Sequence, residues 1–162
     1  MKIGILADTH NELARTHVAV QLLRDAGAEV LIHCGDLATP AVLEACAVLP
    51  VYFVFGNHDA DNVPYLRECA ERCGAVCLGW GDVVELAGKR IGVVHGHLRS
   101  DLQRVLSAKP QYLLSGHAHF TVDCFEGALR RINPGALHRA DEFTVALLDL
   151  ETEELRFLTV VD

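Results

Sequence analysis

The stretch Lys2-Ile3-Gly4-Ile5-Leu6-Ala7-Asp8-Thr9-His10 decides how this chain is read. A run with almost no polar residue ends abruptly in a carboxylate, a hydroxyl and an imidazole. The run is that of a strand covered on both faces rather than one. An Asp and a His two residues apart at its end would share a face if the chain stayed extended. The same event recurs four times: Val30 to Ile32 leads into His33-Cys34-Gly35-Asp36, Val51 to Phe55 into Gly56-Asn57-His58-Asp59, Ile91 to Val94 into His95-Gly96-His97, and Tyr112 to Leu114 into Gly116-His117-Ala118-His119. Five strands that each end in donor groups imply one ligand site along a sheet edge, where α/β sheets gather their ligands.

Between these runs the pattern turns helical. Leu13 to Ala26 carries apolar residues at Leu13, Ala14, Val18, Leu22 and Ala26 and stops at Gly27. Pro40 to Val48 opens with Thr39 at the N-cap and Pro at the first position, and Val63 to Cys73 is capped by Asn62 and closed by Gly74. The second half changes texture. Asp82 to Leu86 and Arg90 to Val94 form a hairpin about Ala87-Gly88-Lys89, and a short helix spans Asp101 to Leu106. Strands are expected at Tyr112 to Leu114, Thr121 to Phe125, Leu129 to Ile132, Thr144 to Leu150 and Glu154 to Val160. With no long repeat or linker, one domain over residues 1–162 is expected, of mixed α/β class.

The composition is that of a chain with a sizeable core: 162 residues, 51% of them hydrophobic. No apolar stretch approaches the roughly 18 residues of a membrane span, and no secretion signal is read, so a cytoplasmic protein without membrane contact is expected. A formal charge of −8 argues against stable nucleic-acid binding, which is built from Lys and Arg. Bound cations would still draw a phosphate to the site. The six cysteines then read as free thiols. Cys69, Cys73 and Cys77 stand four apart, and Cys46 and Cys124 sit in apolar surroundings.

Seven nitrogen and oxygen donors, Asp8, His10, Asp36, Asn57, His95, His117 and His119, exceed the needs of one tetrahedral ion and suit two of higher coordination number. Asp36 is the expected bridge, one carboxylate oxygen to each ion, with Gly35 letting the backbone approach. Paired ions stand about 3.5–4 Å apart in such sites. Their four positive charges, less two carboxylates and a hydroxide, leave about one to meet a phosphodiester monoanion.

As a set, Asp8-Thr9-His10, Gly35-Asp36, Gly56-Asn57-His58-Asp59, His95-Gly96 and Gly116-His117-Ala118-His119 resemble, in order, the motifs of the calcineurin-like metallophosphoesterases. The resemblance runs from residue 1 to about 136. Asn133-Pro134-Gly135 and the chain's size resemble the small single-domain phosphodiesterase branch, which includes a retromer scaffold subunit. It implies a four-layer αββα sandwich. It assigns Asp8, His10, Asp36 and His119 to one metal, Asp36, Asn57, His95 and His117 to the other, and proton donation to His58. The chain departs from the pattern at Asn11, where Gly is frequent, after Asp36, where Leu37-Ala38-Thr39 lacks a further Asp, and at Ala136, where Ser is usual.

The expected function is phosphodiester hydrolysis by a metal-bridging hydroxide, with His58 as general acid and Asp59 either orienting its imidazole or lying solvated on the surface. Asn57, His97 and Arg99 are candidate substrate contacts, His33 a hydrogen-bond support, and His17 and His138 surface residues. Trp80 and Tyr65 are assigned to packing. Manganese leads among the metals, with iron, nickel and zinc compatible. The substrate is a small phosphoester or nucleotide. The alternatives are a phosphomonoesterase or nucleotide pyrophosphatase on the same site, or an inactive protein-binding scaffold. Oligomeric state is left open, a homo-oligomer included.

Overall fold

In the computed structural model, which describes residues 1–161, β1 (Lys2–Leu6) sits inside a six-stranded sheet because both its faces are apolar. Around it stand β2 (Val30–His33), β3 (Val51–Phe53), β4 (Val76–Cys77), β10 (Thr144–Asp149) and β11 (Leu155–Thr159), in the order β11-β10-β1-β2-β3-β4. The first four strands run parallel, whereas β10 pairs antiparallel with β1 and β11 antiparallel with β10. The second sheet has five strands, β5 (Gly81–Leu86), β6 (Lys89–Val94), β7 (Tyr112–Leu114), β8 (Thr121–Glu126) and β9 (Leu129–Pro134), ordered β5-β6-β7-β9-β8. The helices are α1 (Leu13–Asp25), α2 (Pro40–Cys46), α3 (Val63–Cys73) and α4 (Arg99–Ser107), with a 3₁₀ turn over Asn57–Asn62.

Three apolar clusters map onto three interlayer spaces, which is the expected αββα sandwich. Leu6, Leu23, Leu31, Leu43, Phe53 and Leu66 fill the space between α1 to α3 and the first sheet. Ile3, Ile5, Ile32, Ile91, Val93 and Leu114 fill the space between the sheets. Val94, Val105 and Leu113 join the second sheet to α4. The alternation along β1 thus serves two cores at once, Ile3, Ile5 and Ala7 on one side and Leu6 on the other.

Several local expectations change. On α1 the buried stripe is Thr16, Ala19, Val20 and Leu23, while Val18 is exposed. Of the positions that spacing selected, Leu22 and Ala26 pack against the core and Val18 does not; Thr16 can be buried because its hydroxyl donates to the Glu12 carbonyl. β3 ends at Phe53, since the Phe55 N–H is taken by the Gly79 carbonyl. Lys89 pairs with Leu86, which leaves a two-residue hairpin at Ala87 and Gly88, both at positive φ. Thr39 and Asn62 occupy their N-cap positions without capping. The Thr39 hydroxyl donates to Asn11 Oδ1 at 2.8 Å and Asn62 Nδ2 to the Ala38 carbonyl at 2.7 Å, so both tie loops together instead. Cys124 lies exposed on β8, and Tyr65 is exposed as well.

A buried relay joins the loops after β1 and β2. Gly35 N–H donates to His33 Nδ1 at 3.2 Å, so that nitrogen is the acceptor and Nε2 carries the proton. Nε2 in turn faces Thr9 Oγ1 at 3.1 Å, and the Thr9 hydroxyl donates to the Asp36 carbonyl at 3.2 Å. Every polar atom of the relay is satisfied only if His33 stays neutral. Burial pushes its imidazole down to about 3 from the usual 6.5, against the pull of Asp36. The unfolded chain takes up a proton below 6.5 that the folded chain refuses. Stability from this group is therefore complete above that pH and is lost as the pH falls toward 3.

Two outcomes are expected. A methyl added at Gly4 would lie 2.7 Å from Leu31 Cδ2 and 3.0 Å from Leu23 Cδ1. Gly4→Ala should thus lower the urea-unfolding free energy by about 1–3 kcal/mol through overpacking, and unchanged stability would show that α1 can shift outward freely. Between about pH 6.5 and 4.5, stability should fall by about 1.4 kcal/mol per pH unit more steeply in the parent protein than in His33→Gln. Parallel acid limbs would mean that His33 is protonated in the fold.

Candidate metal centre

Asp8, His10, Asp36, His117 and His119 all adopt left-handed backbone, with φ of 52°, 42°, 59°, 69° and 58°. The Asp8/His10 and His117/His119 pairs are therefore not carried by extended chain as the spacing suggested. Each pair is turned inward by a tight loop that costs about 1–3 kcal/mol per strained residue. The loops hold because their backbones bond to one another. Asp8 N–H donates to the Gly35 carbonyl, His10 N–H to Asp36, Asn11 N–H to Leu37 and Gly116 N–H to His95, all at 3.0–3.1 Å. Gly35, at φ 94°, is required here, since a Cβ would lie 2.7 Å from His95 Nδ1.

The motifs after β1, β2, β3, β6 and β7 meet at the carboxyl ends of those strands. Among the described residues three overlapping trios bring their donor atoms within 4.8 Å of one another: Asp8, His10 and His119; His10, Asp36 and His58; Asp8, Asp36 and His95. His119 Nε2 stands 3.2 Å from Asp8 Oδ1, and His10 and His95 each present Nε2 at 3.3 Å from Asp36 Oδ2. The second ring nitrogens fix two of these orientations. His95 Nδ1 is bonded to the Cys34 carbonyl at 2.8 Å and His119 Nδ1 to the Arg139 carbonyl at 3.3 Å, which turns both Nε2 lone pairs inward.

Asp36 Oδ1 accepts the His58 N–H at 2.9 Å, so only Oδ2 faces both His10 and His95. A single oxygen, Oδ2, thus stands between the two imidazoles. Asp8 Oδ2 likewise accepts the His117 N–H at 2.9 Å, while Asp8 Oδ1 and His10 Nε2 are buried without a hydrogen-bond partner. Two orphaned, inward-facing donors with imidazoles around them are costly unless a cation completes them. The residues fit divalent metal ions in their hard and borderline donor chemistry.

The charges are set by competition. Burial raises the Asp8 carboxyl above its usual range, against the attraction of His95 and His119. Burial would raise Asp36 as well, but the imidazoles of His10 and His95 outweigh it and hold that carboxyl well below the carboxylate range. Burial pushes His95 down, and Asp36 and Asp8 more than restore it, leaving its imidazole above the ordinary value.

Asp59 is not a solvated surface carboxylate. It is fully buried, Oδ2 accepts the N–H groups of Asp36, Leu37 and Gly56, and Oδ1 accepts that of Ala38. Its carboxylate fastens the Asp36 loop to the Gly56 turn, with backbone N–H groups on both oxygens. Burial raises its carboxyl, and the Gly56 and Ala38 donors pull it back. Asn57 is exposed at the rim, with Oδ1 at 3.1 Å from His95 Nε2. His117 is exposed, its ring 5.1 Å from that of His95 and outside the three tight trios.

A groove of about 440 Å³ opens over the centre, with His10, Asp36, Asn57 and His58 along it and His138 and Arg139 at its other rim. His97 and Arg99 do not line it. The His97 ring is half-buried between Trp80 and His95, at 5.9 and 5.3 Å, and Arg99 is exposed at the start of α4. His138, assigned to the surface by sequence, instead packs on His10 at 4.8 Å and binds Glu12 through Nδ1 at 2.9 Å. Asn133 was known only as part of a motif. Its buried amide donates to the Gly116 carbonyl at 2.8 Å and so steadies the His117 loop.

The calcineurin-like phosphoesterase superfamily domain matches residues 1–153. A phosphodiesterase of Methanocaldococcus jannaschii is 27% identical over 161 residues, covering 96% of this chain and 97% of its own. A protein of Methanothermobacter thermautotrophicus described as a probable metallophosphoesterase is 29% identical over 172 residues, covering 96% of this chain and 89% of its own. The solved structure of an archaeal phosphodiesterase superposes with a TM-score of 0.88 at 27% identity, covering 99% of this chain and 100% of that one. With its sandwich, its five strand-end motifs and its match over most of the sequence, this chain belongs to the calcineurin-like phosphoesterase superfamily.

Proposed function

We propose that the chain acts as one domain and hydrolyses phosphodiesters at a centre of two divalent ions, manganese foremost. The observation that carries this reading is the buried, unpartnered Asp8 Oδ1 beside Asp36 Oδ2, with the Nε2 atoms of His10, His95 and His119 around them. Asp8, His10, Asp36 and His119 would hold one ion, and Asp36, Asn57, His95 and His117 the other. When bound, the ions supply Lewis acidity toward water and toward the phosphoryl oxygens.

The chain's own residues do the rest. Asp36, whose Oδ2 is reached by imidazoles from two motifs, would be the shared ligand, and the His58 N–H on Oδ1 keeps the carboxylate from turning. Asp59, through four backbone donors, holds that loop in place, so the electrostatics are set before substrate arrives. His58 lines the groove with its ring 4.8 Å from that of His10, and gives a proton from an imidazole nitrogen to the departing oxygen. The name of the Methanocaldococcus relative supports the choice of a diester.

His58→Ala should lower turnover by about 10²- to 10⁴-fold for an alkoxide leaving group and less for nitrophenolate. An equal loss for both leaving groups would remove His58 from proton donation. Chelation should abolish activity and lower the melting temperature, and manganese should restore both. Where the ion stands at 100 times its dissociation constant, the stabilisation is about 2.7 kcal/mol. Thermal stability indifferent to chelator would contradict a bound centre.

A further inference from the structure

Arg139 combines four features that the phosphodiesterase reading does not use. Among the described residues it is the one permanently charged cation lining the groove. Its side chain is exposed, and no carboxylate among the described residues pairs with its guanidinium. Its backbone is strained, at φ 47°, a conformation that glycine would adopt at less cost. Strain of this kind persists where the surroundings over-determine it, and it points to a use.

The surroundings do over-determine it. Leu137 N–H donates to the Asp8 carbonyl at 3.2 Å, Arg15 Nη1 donates to the Leu137 carbonyl at 2.7 Å, and the Arg139 carbonyl accepts from His119 Nδ1 at 3.3 Å. The segment from Leu137 to Arg139 is thus fastened to Asp8 and His119 by its backbone, while Arg139 itself is exposed and lines the groove. His10 has His138 and His58 as separate ring neighbours, each with its centroid at 4.8 Å, so the proton donor and the cation come from different segments of the rim.

Charge counting gives the cation a purpose. Two divalent ions against the carboxylates and the attacking oxygen already balance one phosphodiester monoanion, so the charge on Arg139 is one more than that substrate needs. A guanidinium recognises phosphate oxygens by paired N–H donors. We infer that Arg139 is a specificity-determining residue that binds a second phosphate on the substrate, and that the preferred substrates are nucleotide-like diesters carrying a further phosphate group. The inference rests on the phosphodiesterase reading and names the substrate class of the same groove.

Binding tests it apart from turnover. Calorimetry on the manganese-loaded protein compares thymidine 5′-monophosphate with thymidine 3′,5′-bisphosphate. The bisphosphate should bind about tenfold tighter, one charge-assisted contact's worth. Arg139→Gln should bring that ratio close to one while the monophosphate keeps its affinity within about threefold, and Arg139→Lys should retain part of the preference. Arg139→Gly relieves the backbone strain, so it should lose the ratio with no loss of stability to urea, which separates recognition from folding. A ratio unchanged in Arg139→Gln, or an equal loss for both ligands, would overturn the inference. Hydrolysis of thymidine 5′-(p-nitrophenyl phosphate) by the parent protein tests the activity separately. Failure there with the binding ratio intact would overturn the phosphodiesterase reading and leave the phosphate site standing.

Discussion

Two buried carboxylates, Asp8 and Asp36, face the same few ångströms, and the rest of the site is a response to that constraint. Each would repel the other and each loses hydration. The fold answers with one backbone N–H on the outer oxygen of each, from His117 to Asp8 and from His58 to Asp36. Three imidazoles then face the inner oxygens. What remains uncompensated, Asp8 Oδ1 above all, is what a cation completes. The metal site is thus the position at which a destabilising arrangement of the empty fold becomes favourable.

Holding the arrangement falls to groups that never touch a ligand. Asp59 gathers four N–H groups from two loops, His33 passes a hydrogen bond from Gly35 through Thr9 to Asp36, and Asn133 holds the Gly116 carbonyl. These contacts offset left-handed backbone at Asp8, His10, Asp36, His117 and His119. Strain and its compensation sit in adjacent loops, above sheets whose core packing is unbroken beneath them.

Much of this was legible in the residues. Apolar runs that end in Asp, Asn and His gave the strands, their covered faces and the donor set, because strand ends in an α/β sheet converge. The sandwich itself came from the family resemblance, since nothing in the spacing says that β10 and β11 return to the first sheet. Three things were hidden for physical reasons. α1 is apolar on both sides, so periodicity could not choose between Val18 and Leu23. Asp59 looked like a partner for its neighbour His58, but a carboxylate near several unpaired backbone N–H groups satisfies those first, and their positions depend on the fold. His138 and Arg139 reach the groove because Leu137 bonds back to Asp8 across more than a hundred residues of chain and Arg139 to His119 across 20.

The central claim is that Asp36 stands between two ions held by side chains from five separate strand ends. Anomalous diffraction at the manganese edge from crystals grown in manganese tests it most directly. The account predicts two peaks per chain, about 3.5–4 Å apart, on either side of Asp36 Oδ2, one within reach of His119 and the other of His95. A single peak, or peaks away from Asp36, would contradict it.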